Sequence, residues 1–174
     1  MRATSTIERL SADEARAALP DLVPLLQDVV EDGASVGFLR PLPAEIAERF
    51  WQHVIQDVAD ASRILLVARR DGRIVGTVQL GLCLKQNGPH RADVQKLMVH
   101  SACRGQGIGK ALMAAIEDQA RAAGRSLLCL DTEAGKPAQT MYERSGWIRI
   151  GEIPGYACSR EGELHAAAFY YRQI

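Results

Sequence analysis

The period of the apolar positions changes several times along the chain, and each change marks an element. Leu22, Leu25, Leu26, Val29 and Val30 follow i, i+3, i+4, i+7, i+8 spacing, the stripe of one buried helix face. Asp32-Gly33 ends that helix. Ahead of it, Ser11-Ala12-Asp13-Glu14 is a capping box that predicts a short helix, which Pro20 and Pro24 interrupt or restart. Residues 4 to 10 read as a first edge strand. Gly33 to Pro43 reads as a loop, and Pro43 suits the first turn of the next helix. There Ile46, Phe50, Val54 and Val58 recur at every fourth position.

From Ile64 the period shortens. Ile64 to Ala68 is a continuous apolar strand, and Asp71-Gly72 is a two-residue hairpin signal. Ile74, Gly76, Val78, Leu80, Leu82 and Leu84 then alternate, with Thr77 and Gln79 opposite, predicting a hairpin with one face in the core. Asn87-Gly88-Pro89 turns the chain into a central strand, Ala92 to Val99. Ile108, Leu112, Ala115, Ile116 and Ala123 mark a further helix, closed by Gly124. Leu127 to Leu130 is a short buried strand, so strand, helix and strand predict a right-handed parallel crossover. Ligands bind beyond the carboxyl ends of such strands, which places the loop after Val99 and Asp131 after Leu130 at one mouth. Pro137 starts a short helix containing Tyr142, and Gly146 ends it. Trp147 to Glu152 and Ala166 to Arg172 read as final strands, with the turn at Glu161-Gly162. No repeat, low-complexity tract or linker divides the chain, so residues 1 to 174 are expected to form one α/β domain with a mixed, mostly antiparallel sheet.

The 174 residues suit a single domain with a real core. Lys plus Arg and Asp plus Glu both number 21, which argues against non-specific nucleic-acid binding. Cys83, Cys103, Cys129 and Cys158 lack metal or redox spacing. Cys83 and Cys129 fall in apolar strand patterns and read as buried thiols. His53, His90, His100 and His165 have no metal spacing either, so no metal is expected. His100 follows a strand end, near any ligand held there. Met1-Arg2-Ala3-Thr4 leads into a polar stretch, and no apolar run approaches a membrane span. The expectations are a cytoplasmic location and no membrane partner.

The informative stretch is Val94 to Gly109, VQKLMVHSACRGQGIG. Gly105, Gly107 and Gly109 sit at alternate positions between a strand and a helix. Glycines so spaced let backbone N–H groups approach a ligand, and the helix adds the positive end of its dipole. Arg104 and Lys110 flank them. The stretch reads as a pyrophosphate seat. It is not a P-loop, since Arg104 stands where the first glycine belongs and Ala111 replaces the magnesium-binding hydroxyl. It is not a dinucleotide fingerprint, since Lys110 stands at the third glycine.

What fits is [QR]-x-x-G-x-[GA], in Arg104-Gly105-Gln106-Gly107-Ile108-Gly109. This resembles the acetyl-CoA loop of the GNAT acetyltransferases. About 30 residues on, Ala138-Gln139-Thr140-Met141-Tyr142-Glu143-Arg144-Ser145-Gly146-Trp147 is similar to that family's A-x-x-x-Y-x-x-x-G-[FW]. The resemblance covers roughly residues 63 to 158. The strings GASVGF (Gly33 to Phe38), VQKLMV (Val94 to Val99), LDTEAG (Leu130 to Gly135) and a GELHAAA-like tail resemble the tabtoxin-resistance acetyltransferases more closely.

The resemblance implies a GNAT-like sheet with one parallel strand pair splayed around acetyl-CoA. It implies that Leu97 and Val99 offer backbone groups to the pantetheine arm, with an N–H near Met98 or Val99 able to polarise the thioester carbonyl. The N–H groups from Arg104 through Gly105, Gln106, Gly107, Ile108 and Gly109 to Lys110 would take the pyrophosphate, and Ala138 and Tyr142 would complete the cofactor site. Acetyl transfer also needs a deprotonated amine. With a reference pKa of about 10.4, only about one alkylamine in two thousand is free base at pH 7. Asp131, at a strand end facing the mouth, is the first choice of base; Asp93 is the second, and Glu133 stays open. Tyr142 matches the family's general-acid tyrosine and could donate its proton through a hydrogen bond to the leaving thiolate without a large pKa shift. The loop bearing Phe38 would wall the acceptor site, which Gln79, Gln95 and Asp131 would line. Lys96 and Gln95 are unusual residues for a central strand.

The leading expectation is acetyl-CoA-dependent acetylation of a small amine- or hydroxyl-bearing molecule by a monomer or homodimer, in its sharper form an antibiotic- or toxin-inactivating reaction. Protein or peptide N-acetylation is an alternative. A CoA-binding sensor without turnover is another, against which Tyr142 and Asp131 together argue.

Overall fold

A computed structural model describes residues 5–174; Thr4, the first residue of the expected edge strand, lies outside the described residues, as do Met1, Arg2 and Ala3. The elements in chain order are β1 (Thr6–Leu10), α1 (Ala12–Ala17), α2 (Leu19–Glu31), α3 (Ala44–Ala59), β2 (Arg63–Arg70), β3 (Arg73–Leu82), β4 (Arg91–Val99), α4 (Ile108–Ala122), β5 (Leu127–Glu133), α5 (Pro137–Arg144), β6 (Ile148–Cys158) and β7 (Leu164–Gln173). One seven-stranded sheet runs β1-β2-β3-β4-β5-β7-β6. Every neighbouring pair is antiparallel except β4 and β5, which are parallel.

The local signals act where their chemistry requires. Ser11 accepts from the Glu14 N–H, and the Glu14 carboxylate accepts from the Ser11 N–H at 2.8 Å, closing both ends of the capping box. Pro20 lies in the first turn of α2, where a missing N–H leaves no bond unmade, and Pro24 is carried inside the helix. Asp71 and Gly72 both have positive φ, 49° and 79°, which matches the twist of a two-residue hairpin.

The sheet is covered on both faces. Helices α1, α2 and α3 pack on one face around Leu22, Leu26, Trp51, Leu65 and Val67. Helix α4 packs on the other around Leu66, Val78, Leu112, Ile116 and Leu128, and α5 adds Tyr142 there. The expectation of one core face for β3 therefore fails: Thr77 and Gln79 are fully buried under the first group of helices. Leu84, expected to continue that run, lies past the strand and is 74% exposed.

The expected face of α3 is also displaced. Ile46 is exposed, while Ala47, Trp51, Val54 and Ile55 are buried. A strict four-residue repeat drifts by about 40° per step around a helix of 3.6 residues per turn, so it cannot stay on one face. Alternating steps of three and four do.

Gly76 lets α4 and β4 approach β3. A Cβ built there would stand 3.0 Å from the Met98 carbonyl oxygen, 3.1 Å from Leu112 Cδ1 and 3.3 Å from Ile108 Cγ2. A methyl group in that space must push backbone aside. Gly76→Ala is expected to lower stability by about 1–3 kcal/mol, read as a fall in the urea midpoint at constant slope.

Candidate active site

The parallel contact between β4 and β5 is short. Arg91 pairs with Leu127, Ala92 with Leu128 and Asp93 with Cys129, and the pairing stops. Beyond it β4 continues along β3, with Val99 opposite Gly76, while β5 continues along β7 as far as Glu133 opposite Ala167. The sheet forks, and the edge of β4 from Val94 to Val99 that would meet β5 has no strand partner. Asp131 was expected just past the end of a strand. It lies inside β5, opposite Phe169, where β5 has already parted from β4.

A bulge bends β4 inside the fork. Gln95 pairs with Gln79, and the next pair is Met98 with Thr77, so Lys96 and Leu97 together oppose Val78. Lys96 has φ 51°, a left-handed conformation that costs a non-glycine residue about 1–2 kcal/mol. Such strain persists where the surrounding structure enforces it, and it concentrates at functional sites. Met98 buries its side chain against the helices, leaving its backbone to serve the fork.

The glycine loop closes one end of the fork. Gly105 and Gly107 have φ of 70° and 82°, and a Cβ at either would meet nothing within 4 Å. Both are therefore required for backbone shape rather than for room. Gly109 differs: a Cβ there would stand 3.7 Å from Met141 Sδ and 3.8 Å from Val99 Cγ2, ordinary contacts. The first backbone bond of α4 runs from Ala111 N–H to the Gly107 carbonyl. Among the described residues, no N–H from Gly105 to Lys110 has a backbone or side-chain partner, so a row of donors stands open at the N-terminus of α4.

The Arg104 N–H is partly taken, donating to the Ser101 carbonyl at 3.4 Å. Its guanidinium pairs with Asp32 at the end of α2 and donates to the Val99 carbonyl, so it braces the loop and its charge is compensated. Gln106 accepts from Arg70 at 2.6 Å. Lys110 is exposed.

Tyr142 projects from α5 into the core on the α4 side of the sheet. It is buried, with its ring edge-on to Trp147 at 6.1 Å and near Tyr170 at 5.9 Å. Burial, aided by the charges of Asp131 and Tyr170, pushes its phenol up to about 12. The expected absence of a large shift is thus not met, and Tyr142 stays a neutral O–H donor throughout the neutral range. Ala138, one turn earlier on the same face, packs against the same core.

Asp131 stands at the electrostatic centre. Its charge raises Tyr142, opposes the burial that lowers Lys96, and adds to the burial that raises Asp93. Asp93 lies at the last parallel pair, in a cleft of about 460 Å³ with Cys83, Arg91 and Cys129. Cys83, expected to be a buried strand thiol, instead lies past the end of β3 in that cleft's wall. Glu133 is drawn toward Lys136 at 3.4 Å and His165 at 3.8 Å.

On the opposite wall, Phe38 packs edge-on against Phe50 at 5.3 Å. Arg63 donates to Asp57 at 2.9 Å and to Gln79 and Gln95 at 2.8 Å each. Gln95 is exposed on this face, but Gln79 is fully buried beneath Arg63. Gln79 therefore supports Arg63 instead of lining the site as expected, because the α1–α3 layer covers its side of β3. Lys96, noted in the sequence only as unusual, projects here beside Phe50. His100 caps its own turn, accepting from the Ala102 N–H at 3.2 Å. Among the described residues, no cluster of three or more His, Cys, Asp or Glu could hold a metal, and no helix is long and apolar enough to cross a membrane.

The family model described as "Acetyltransferase (GNAT) family" matches residues 26–147, and the chain belongs to that family. It is an acyltransferase of a family that uses acetyl-CoA. It is 34% identical over 128 residues to an uncharacterized N-acetyltransferase from the hisH-hisA intergenic region of Azospirillum brasilense, covering 72% of this chain and 74% of that one. It is 33% identical over 103 residues to an IAA acetyltransferase of the same organism, covering 59% of this chain and 65% of the relative. Among solved structures it is similar to a ribosomal-protein-alanine N-acetyltransferase from Brucella melitensis, with TM-score 0.81, 24% identity, and 97% and 99% of the two chains covered. It is also similar to yncA of Salmonella typhimurium, solved with acetyl-CoA, with TM-score 0.76, 18% identity, and 97% and 93% covered. At these identities the two structures support the fold alone.

If Asp131 is the common source of these fields, one substitution should move three groups together. Asp131→Asn removes a negative charge, which eases ionisation of Asp93 and Tyr142 and weakens protonation of Lys96. All three pKa values are expected to fall, as followed by side-chain NMR titration. An Asp93 titration unchanged in the variant would show that the two carboxylates do not interact.

Proposed function

We propose that the chain binds acetyl-CoA in the fork and transfers the acetyl group to the amine of a small molecule. The observation that carries this reading is the row of open amides from Gly105 to Lys110 beside the fork, with Asp131 on β5 and Tyr142 near enough to feel its charge. The donors match a diphosphate in chemistry, and the unpaired edge of β4 from Leu97 to Val99 can accept an extended pantetheine arm. Acetyl-CoA supplies the activated acyl group as a thioester; the protein supplies position, a base and a donor.

Asp131 accepts the ammonium proton, directly or through water, with Asp93 as the alternative base. Holding the amine at the reaction site adds the larger, positional part of the effect. Tyr142 faces the leaving sulfur. With its phenol near 12 and a thiol reference of about 8.5, complete proton transfer is uphill by roughly 5 kcal/mol. Tyr142 therefore acts by hydrogen-bond donation to the developing thiolate. Phe38, Gln95 and Asp131 line the acceptor side. The tabtoxin-resistance strings, in particular Gly33 to Phe38 on the acceptor wall, support a toxin- or antibiotic-inactivating role within this reading.

Two substitutions separate binding from chemistry, using labelled acetyl-CoA and a panel of small amines, amino acids and peptides. Tyr142→Phe is expected to lower kcat on the order of a hundredfold while leaving the affinity for acetyl-CoA unchanged. An unchanged kcat removes Tyr142 from the mechanism. Gly107→Val forces a β-branched residue into left-handed backbone and is expected to weaken acetyl-CoA binding on the order of tenfold, measured by calorimetry. Gly109→Ala, with room for its methyl, should bind nearly as the parent does. Equal affinities for parent and Gly107→Val would remove the glycine loop from the cofactor site.

A further inference from the structure

Lys96 is the cation of the acceptor wall that the protein itself leaves unmatched. It occupies the left-handed position of the β4 bulge, which turns its side chain out of the ladder with β3. Its Nζ lies 5.9 Å from the centroid of Phe50. It also packs so closely on the loop before α3 that a Cβ at Gly37 would stand 3.4 Å from it. The residue is half-buried, between glycine backbone and an aromatic ring. Among the described residues, no carboxylate comes within the 4.0 Å of an ion pair with it.

The nearby charges do not fill that role. Arg63, the neighbouring cation, claims Asp57 and ties up Gln79 and Gln95. Asp131 acts on Lys96 from beyond contact, and burial still outweighs it, holding the ammonium below its ordinary pKa. A half-buried ammonium without a contacting partner is unfavourable, and an anionic ligand would relieve it. The two walls thus offer a cation at Lys96 and an anion at Asp131, separated from one another. That is the charge complement of a zwitterion.

We infer that Lys96 receives a carboxylate of the acceptor, so that the acetylated molecule is a small amino acid or amino-acid-like zwitterion whose amine faces Asp131. This rests on the acetyl-transfer reading of the same site and adds to it the substrate class. Lys96 is then a specificity residue; the chemistry stays with Asp131 and Tyr142. At Gly37 the backbone itself requires glycine, with a φ of 86°, while a Cβ there would meet the ammonium at ordinary contact distance.

The test measures acetylation of matched acceptors by the parent enzyme, Lys96→Met and Lys96→Arg. Each set comprises an amino acid, its carboxamide, and the amine lacking the carboxyl group. The parent is expected to favour the carboxylate member on the order of tenfold or more in kcat/KM. Lys96→Met should raise KM for the carboxylates on the order of tenfold to a hundredfold, leave kcat and the carboxamide KM nearly unchanged, and so erase the preference. Lys96→Arg should restore part of it. Equal use of carboxylate and carboxamide by the parent, or a preference that survives Lys96→Met, overturns the inference. So does a panel in which no acceptor is acetylated. In that event calorimetric binding of acetyl-CoA, measured alongside, tells whether the cofactor reading still stands.

Discussion

Three residue pairs of parallel sheet carry the architecture of the site. Arg91–Leu127, Ala92–Leu128 and Asp93–Cys129 hold β4 to β5, and each strand then follows a different antiparallel partner. A longer parallel contact would close the fork, and a missing one would separate the two halves of the sheet. The antiparallel ladders on either side, β3 with β4 and β5 with β7, are long enough to hold the two leaves apart. Unpaired strand edge is normally a liability, because its N–H and C=O groups remain unsatisfied. Here it ends at the glycine loop, whose own N–H groups stand open as well.

The loop and the bulge serve this fork by different means. At Gly105 and Gly107 the chain needs left-handed backbone, and glycine supplies it with nothing nearby to crowd a side chain. At Lys96 the same left-handed region is occupied by a long cationic residue, at a cost in strain. Gly76 contributes differently again, by admitting Met98, Leu112 and Ile108 to close range of β3. Conformational freedom, strain and close packing thus meet within one strand and the two elements that touch it.

Electrostatically, the site separates its titrating groups. Burial keeps Tyr142 protonated far above neutral pH, while Asp131 influences Tyr142, Asp93 and Lys96 at once. Arg104 and Arg63 are cations that the protein neutralises for itself, through Asp32 and Asp57. Lys96 is not neutralised in that way. Two cations are thus braced by carboxylates of the protein, and Lys96 has no carboxylate in contact among the described residues.

Much of this was written in local pattern. The capping box, the α2 stripe, the Asp71-Gly72 hairpin, the glycine loop and the order of the later elements follow from residue chemistry at short range, because each depends on neighbours within a few positions. The sheet's mixed character and the meeting of Arg104–Lys110 with Tyr142 follow from element order and two spaced signatures. Other features depended on what lay above or beside a residue. Whether Thr77 and Gln79 face solvent was decided by helices α1 to α3, which arrive from far earlier in the chain. The buried face of α3, the extension of β5 past Asp131, the pairing of Arg104 with Asp32 and the shift of Tyr142 were set likewise by packing and burial. The bulge that brings Lys96 beside Phe50 comes from the register of β4 against β3. Period and motif determine which residues can form a strand, a loop or a donor; tertiary contact determines which of their charges are matched, because desolvation and partnership exist only between segments brought together.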